Sequence, residues 1–231
     1  RHYIYYNTWI NTTLPNYNHI KYIRDNVRYI QDPILIVGSN EYEFDQYNFF
    51  TELKSMDFKT IIGIDIQIGE GVDIQADLCN ISKEIYNKYV GYFNTVVCMQ
   101  TLYAVQNPFI ASQNIEKLMS TDGVLLFSDV FSHRIHRIPK DYWRFTYDAH
   151  KILFPNLKFD DKKAKIGITR ENKLININFP HPELNKYKQQ EDESFIGYII
   201  RKINRKLFTV GLLNLPRLLP ELSIFSIAFK K

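Results

Sequence analysis

Two residues at the ends of apolar runs are the first that can do chemistry. Asp65 closes the run Thr60-Ile61-Ile62-Gly63-Ile64, and Gly38 closes Ile34-Leu35-Ile36-Val37. A carboxylate is acceptor-only and can take both hydroxyl hydrogens of a ribose. A glycine lets the backbone turn tightly and lets a ligand approach it. Asp77 closes a third run, Gly71-Val72-Asp73-Ile74-Gln75-Ala76, and could accept from an adenine amino group. Together these residues point to a nucleotide-like ligand. A structural turn at Gly38, a solvated or helix-capping acid at Asp65 and a turn residue at Asp77 fit the same pattern.

The elements that must hold these residues are legible as alternating strands and helices. Ile34–Val37 is short and wholly apolar, as expected of a strand buried on both faces. Phe44, Tyr47, Phe50 and Leu53 share one helical face over Phe44–Met56. Thr60–Asp65 and Gly71–Asp77 read as the second and third strands, and Ile81, Ile85 and Tyr89 mark a helix. Thr95–Met99 is the fourth strand. Asn107 caps a helix that opens on Pro108 and stops at Thr121-Asp122-Gly123. Val124–Val130 is the fifth strand and ends near Asp129. This alternation means βαβ units and a parallel sheet.

The flanks have a different character. Residues 1–16 are aromatic and Asn-rich and read as an irregular arm. Ile20, Ile23, Val27 and Ile30 predict an amphipathic helix ended by Asp32-Pro33. After the fifth strand comes a polar, aromatic loop, His133–Phe145, and Thr146 caps a short helix through Phe154. Lys165–Phe179 reads as one or two strands. Residues 180–194 are polar and read as an exposed connection. Phe195–Val210 predicts an amphipathic helix, with Ile196, Ile199, Ile203 and Leu207 on one side and Arg201, Lys202, Arg205 and Lys206 on the other. A sheet cover or lid with a solvated basic face fits that helix, and so does weak membrane-surface or partner docking through residues 195–210. Ser223–Phe229 reads as the last strand.

The 231 residues suit one α/β domain with extensions. A net charge of +4 is too mild for a nucleic-acid footprint, so no nucleic-acid partner is expected. The two cysteines, Cys79 and Cys98, match no zinc or redox spacing and suggest a reducing, cytoplasmic compartment. No acid cluster follows Met99, so no catalytic metal is expected. The chain starts at Arg1, and the expectation is a piece of a longer protein.

Several stretches resemble the class I S-adenosylmethionine-dependent methyltransferases. The narrower likeness is to the subgroup with a P-x-D-Y-W-R-F-T signature, present as Pro139-Lys140-Asp141-Tyr142-Trp143-Arg144-Phe145-Thr146 after His136. The subgroup's G-V-D segment appears as Gly71-Val72-Asp73, and a strand of the wider family, of the form V-V-x-x-x-x-L, as Val96-Val97-Cys98-Met99-Gln100-Thr101-Leu102. Asn107-Pro108 matches the opening of the next helix, Asp122-Gly123-Val124-Leu125-Leu126 the strand after it, and Ser226–Lys230 an antiparallel seventh strand. The likeness covers roughly residues 33–160 and the final ten. Two motifs depart from the family. Its first motif usually carries two or three glycines, where Gly38 stands alone before Ser39-Asn40-Glu41. Its L-E-H is Leu102-Tyr103-Ala104 here.

The resemblance implies a doubly wound, mostly parallel, seven-stranded α/β sheet of Rossmann-like methyltransferase type, with an N-terminal helical arm and a helical insertion before the last strand. It divides a single methyltransferase-like domain, 1–231, into arm and helix (1–32), sheet core (33–179), insertion (180–221) and last strand (222–231). It implies S-adenosylmethionine as cofactor, lined by Gly38, Ser39, Asp65, Ile66, Asp77, Leu78, Met99 and Gln100, and a small-molecule or glycan acceptor. His136 is the candidate base, because a hydroxyl acceptor must lose its proton and imidazole titrates near neutral pH. Asp141 would orient that histidine or bind the acceptor, and Arg144 would pair with a carboxylate or an acidic sugar. Asp129 and His133 are further candidates at the mouth of the fifth strand, while Trp143 reads as packing. The expected activity is O-methylation of a sugar hydroxyl in glycan biosynthesis. The rival is a degenerate, methyltransferase-like binding or scaffold module. A dinucleotide oxidoreductase is disfavoured, because the full glycine fingerprint is absent.

Overall fold

A computed structural model describes residues 17–40, 48–133, 140–169, 172–177, 194–209 and 221–230. The arm at 1–16, the helix positions Phe44 and Tyr47, the signature residues His136 and Pro139, the connection 180–193 and Val210 lie outside the described residues.

One sheet carries the architecture. Its strands are β1 (Ile34–Val37), β2 (Ile61–Asp65), β3 (Ile74–Gln75), β4 (Phe93–Met99), β5 (Met119–Ser132), β6 (Leu157–Phe159), β7 (Lys165–Ile168), β8 (Lys173–Asn176) and β9 (Leu222–Lys230). The order is β3-β2-β1-β4-β5-β9-β7-β8, and β6 also pairs with β9. The first five strands are mutually parallel. β9 runs antiparallel to β5. Its two halves share the far edge, Leu222–Phe225 with β7 and Ala228–Lys230 with β6. Among the described residues the sheet holds nine strands, against the seven expected. The expected turn at Thr121–Gly123 lies within β5 as a bulge, with Asp122 in the left-handed region at φ +62°.

The period-2 alternation of each strand divides the core between two faces. Ile34, Ile36, Val97, Met99, Leu126 and Phe225 pack on one face with Tyr22, Ile23 and Leu53. Tyr22 and Ile23 come from helix α1 (Tyr17–Asp25) and Leu53 from α2 (Phe49–Ser55). Leu35, Val37, Val96, Cys98, Leu125 and Phe127 pack on the other face with Ala111, Ile115, Leu118, Leu153 and Phe154. That face is covered by α3 (Lys83–Tyr89), α4 (Pro108–Leu118) and α5 (Tyr147–Leu153). Both predicted caps are made. The Asn107 side chain accepts from the Ile110 amide, and the Thr146 hydroxyl accepts from the Ala149 amide.

One element departs from its periodicity. The helix predicted through Ile30 ends at Asp25, and a 3-10 turn follows at Val27–Tyr29. Buried Asn26 turns its side-chain amide back to the Tyr22 carbonyl at 2.9 Å and so competes with the next helical hydrogen bond. Val27 is consequently exposed, while Ile30 regains the core. Helix α6 (Phe195–Thr209) forms as predicted. No helix among the described residues is long and apolar enough to cross a membrane.

Candidate functional site

The carboxyl ends of β1, β2 and β4 meet at one edge of the parallel sheet, the place where open α/β sheets bind ligands. Gly38 turns there at φ +71°, and its amide donates to the Ile64 carbonyl at 2.9 Å. A Cβ on Gly38 would stand 2.3 Å from Thr101 Oγ1 and 2.8 Å from its Cγ2. That hydroxyl donates to the Val37 carbonyl at 2.9 Å, so Thr101 pins the turn from the β4 side. Glycine is needed at position 38 for both reasons, conformation and space.

From the β2 side, the Asp65 carboxylate holds the same turn. Its Oδ2 accepts from the Asn40 amide at 3.2 Å and its Oδ1 from the Gln67 amide at 2.9 Å. Each oxygen keeps a second lone pair for an incoming hydroxyl. The Asn40 side chain lies over Gly69, whose Cβ would meet Asn40 Oδ1, and its amide reaches Gln67 Oε1 at 3.3 Å. The expected neighbourhood of Gly38 and Asp65 is therefore present. Ile66 follows as an exposed apolar residue. Buried Ser39 carries a hydroxyl with no hydrogen-bond partner.

The remaining expected lining residues sit on either side. Exposed Asp77 accepts from the Cys79 amide at 2.8 Å in a short turn, and buried Leu78 passes its carbonyl to Asn114 Nδ2 at 2.9 Å. Met99 is buried at the end of β4. Gln100 adopts φ +53°, a strained conformation for this residue type, with its amide on the Ser128 carbonyl at 2.8 Å.

The loop residues Tyr142–Arg144 pack over the 3-10 turn Leu102–Ala104. The Tyr142 and Trp143 amides both donate to the Tyr103 carbonyl, at 2.9 and 3.1 Å. The indole of exposed Trp143 donates to the Val105 carbonyl at 2.9 Å, which ties the loop to the end of that turn. Arg144 holds the Asp141 carboxylate through both guanidinium nitrogens. It also donates to the Trp143 carbonyl at 2.8 Å and the His133 carbonyl at 3.4 Å. The two residues expected to meet a substrate or a histidine thus meet each other. His133 lies 3.8 Å from Glu221 through Nε2.

Asp129 lies beneath this loop, fully buried. Its oxygens accept from the Tyr103 amide at 2.9 Å and the Val130 amide at 2.8 Å. Burial pushes its carboxyl up to about 7, partly offset by those amides and by the Arg144 charge. Asp129 thereby anchors the turn after β4, a role invisible in its sequence neighbourhood. Among the described residues no grouping of three or more His, Cys, Asp or Glu could hold a metal ion.

His19 is the residue that sequence reasoning missed. It lies on the buried face of α1, its ring 4.9 Å from that of Phe225 and 6.5 Å from that of Phe49. Both ring nitrogens lack hydrogen-bond partners, and burial lowers its pKa to about 3, so the imidazole is neutral. Phe225 pairs with Ser128 of β5, whose buried hydroxyl is also unpartnered. The available signal was spacing: His19 stands three and four residues before Tyr22 and Ile23, in phase with the apolar stripe.

No family model and no curated protein matches the sequence. Solved structures do match the fold. A SAM-dependent methyltransferase from Archaeoglobus fulgidus superimposes with a TM-score of 0.52 at 17% identity, over 92% of this chain and 93% of the other. The 1,6-didemethyltoxoflavin-N1-methyltransferase of Burkholderia thailandensis, solved with S-adenosylhomocysteine, gives 0.53 at 8% identity, over 96% and 80%. The 4+2 cyclase SpnF gives 0.52 at 12% identity, over 93% and 81%. The fold is that of the class I methyltransferases.

Proposed function

We propose that this chain is an S-adenosylmethionine-dependent O-methyltransferase of the cytoplasm, acting on a sugar hydroxyl in glycan biosynthesis. The observation that carries the reading is the Gly38 turn clasped between Asp65 and Thr101 at adjacent strand ends. The residues suit the cofactor. Asp65 keeps lone pairs for the ribose hydroxyls, Ile66 offers an exposed apolar face to adenine, and Gly38 has no Cβ to block approach. Ser39, Asp77, Leu78, Met99 and Gln100 complete the lining.

When bound, the cofactor supplies an already activated methyl group. The protein's part is to align the acceptor oxygen and exclude water. His136 is assigned the acceptor's proton, a contribution of about 10²–10⁴-fold. The Asp141–Arg144 pair shapes the acceptor-facing loop. Residues 195–210 dock the protein weakly to a membrane surface or a partner.

The test is transfer of labelled methyl from S-adenosylmethionine to free and nucleotide-linked sugars. Label in a sugar, lost in His136→Ala while cofactor binding persists, supports the reading. A protein that binds the cofactor yet labels no sugar contradicts the acceptor class. The Leu102-Tyr103-Ala104 turn and the single glycine favour a second reading, a methyltransferase-like module without catalysis. That reading predicts no label on any acceptor, and the cyclase with the same fold illustrates that fold alone does not decide chemistry.

A further inference from the structure

We propose that helix α6 docks on the surface of an anionic phospholipid bilayer, lying in the interface plane. The inference does not depend on methyl transfer. Its first ground is exposure. Ile196, Ile199, Ile200 and Ile203 fall at i, i+3, i+4 and i+7, a single helical stripe. A sheet-covering helix buries such a stripe. Here Ile196 is 70% exposed, Ile200 and Ile203 are each 53% exposed, Ile199 is 39% exposed, and Phe195 beside them is 65% exposed. By contrast α1 turns its own stripe into the core, where Ile20 and Ile23 are almost wholly enclosed.

The second ground is charge. The segment Phe195–Thr209 contains Arg201, Lys202, Arg205 and Lys206 and no acid. Its four cations equal the net charge of the entire chain, +4. Lys202, itself exposed, lies off the isoleucine stripe, the pattern of a helix that sinks its apolar face to the headgroup boundary while basic residues meet lipid phosphates.

The charge also discriminates among occupants. A second copy of α6 would bring four more cations against the first, with no acid on either helix to offset them, unlike the paired charges that flank helix–helix seams. A neutral bilayer would leave the cations without counter-charges. An anionic surface satisfies both features, each basic residue near it contributing about a fivefold gain in partition.

The experiment is co-sedimentation of the full chain with vesicles of phosphatidylcholine alone and of equal parts phosphatidylcholine and phosphatidylserine. The expected result is pelleting with the anionic vesicles only, weakened by added salt. Ile196→Asn combined with Ile200→Asn should cut the bound fraction by about tenfold or more. Lys202→Glu should cut it and reduce the salt dependence. These side chains are exposed, so circular dichroism of the variants should match that of the unaltered chain. Three results would overturn the proposal: no pelleting with either vesicle, equal pelleting with both, or isoleucine variants that pellet as the unaltered chain does. A dimer in solution that the isoleucine variants dissolve, without vesicle binding, would overturn it in favour of a protein interface.

Discussion

Replacing Gly38 by alanine should destabilise the fold by a calculable amount. The residue sits at φ +71°, where an L side chain costs roughly 1–2 kcal/mol. The new Cβ would lie 2.3 Å from Thr101 Oγ1, so Thr101 must rotate away. Rotation gives up the hydrogen bond to the Val37 carbonyl, about 0.5–1.5 kcal/mol. An off-rotamer threonine adds about 0.5–1.5 kcal/mol. The sum for Gly38→Ala is about 2–5 kcal/mol. A double-mutant cycle separates the two contributions. In a Thr101→Ala background the clash with Oγ1 and Cγ2 is gone, leaving only the conformational cost, roughly 1–2 kcal/mol. Urea unfolding of the four proteins reads the coupling directly. The reasoning is refuted by a Gly38→Ala cost below about 0.5 kcal/mol, or by an equal cost in both backgrounds.

Three further outcomes follow from the buried and paired charges. Asp129 titrates near 7 in the fold and 3.8 in isolation, so the native state holds its proton more tightly and loses stability as pH rises between those values. Relative to the unaltered chain, Asp129→Asn should gain about 4 kcal/mol between pH 4 and pH 8, and an unchanged difference in urea unfolding would contradict this. His19 behaves oppositely: its pKa falls from 6.5 to about 3, so the unfolded chain binds the proton first and native stability drops as pH falls below 6.5. His19→Leu should match or exceed the unaltered chain in stability at neutral pH and pull further ahead below pH 6.5, and a loss at neutral pH would mean that its nitrogens have partners. Arg144→Ala should destabilise by roughly 1–3 kcal/mol, because it removes the two-pronged, charge-assisted contact to the Asp141 carboxylate, with Arg144→Lys recovering little since lysine cannot form that contact.

Local patterns carried most of the fold. Four-residue apolar runs, the Asn107-Pro108 cap and the Thr146 cap are signals that sit next to the structure they cause. The limits appear where a particular side-chain or strand-to-strand contact decides. Asn26 ended α1 early, because a side chain that reaches back one turn leaves no trace in hydrophobic periodicity. Short β6 carries only three residues and exists because the end of β9 offers it an unpaired edge. In the site, Gly38 and Asp65 were legible from their strand-end positions. Thr101 was not, because its contact with Gly38 spans β1 and β4 and depends on the register that sets Val37 beside Cys98. Asp141 and Arg144 were singled out individually, but three residues apart in a loop they satisfy one another first. Asp129 was ranked low because its importance comes from burial, which no single strand end reveals.

The central claim is that the Gly38–Asp65 clasp holds the ribose of S-adenosylmethionine. Titration calorimetry with S-adenosylmethionine, on the unaltered chain and on Asp65→Ala, tests it most directly. Saturable binding is expected, weakened in Asp65→Ala by about 1.5–3 kcal/mol, the range for a hydrogen bond to a charged group. Binding of equal strength in the two proteins would contradict it, as would an absence of binding by the unaltered chain.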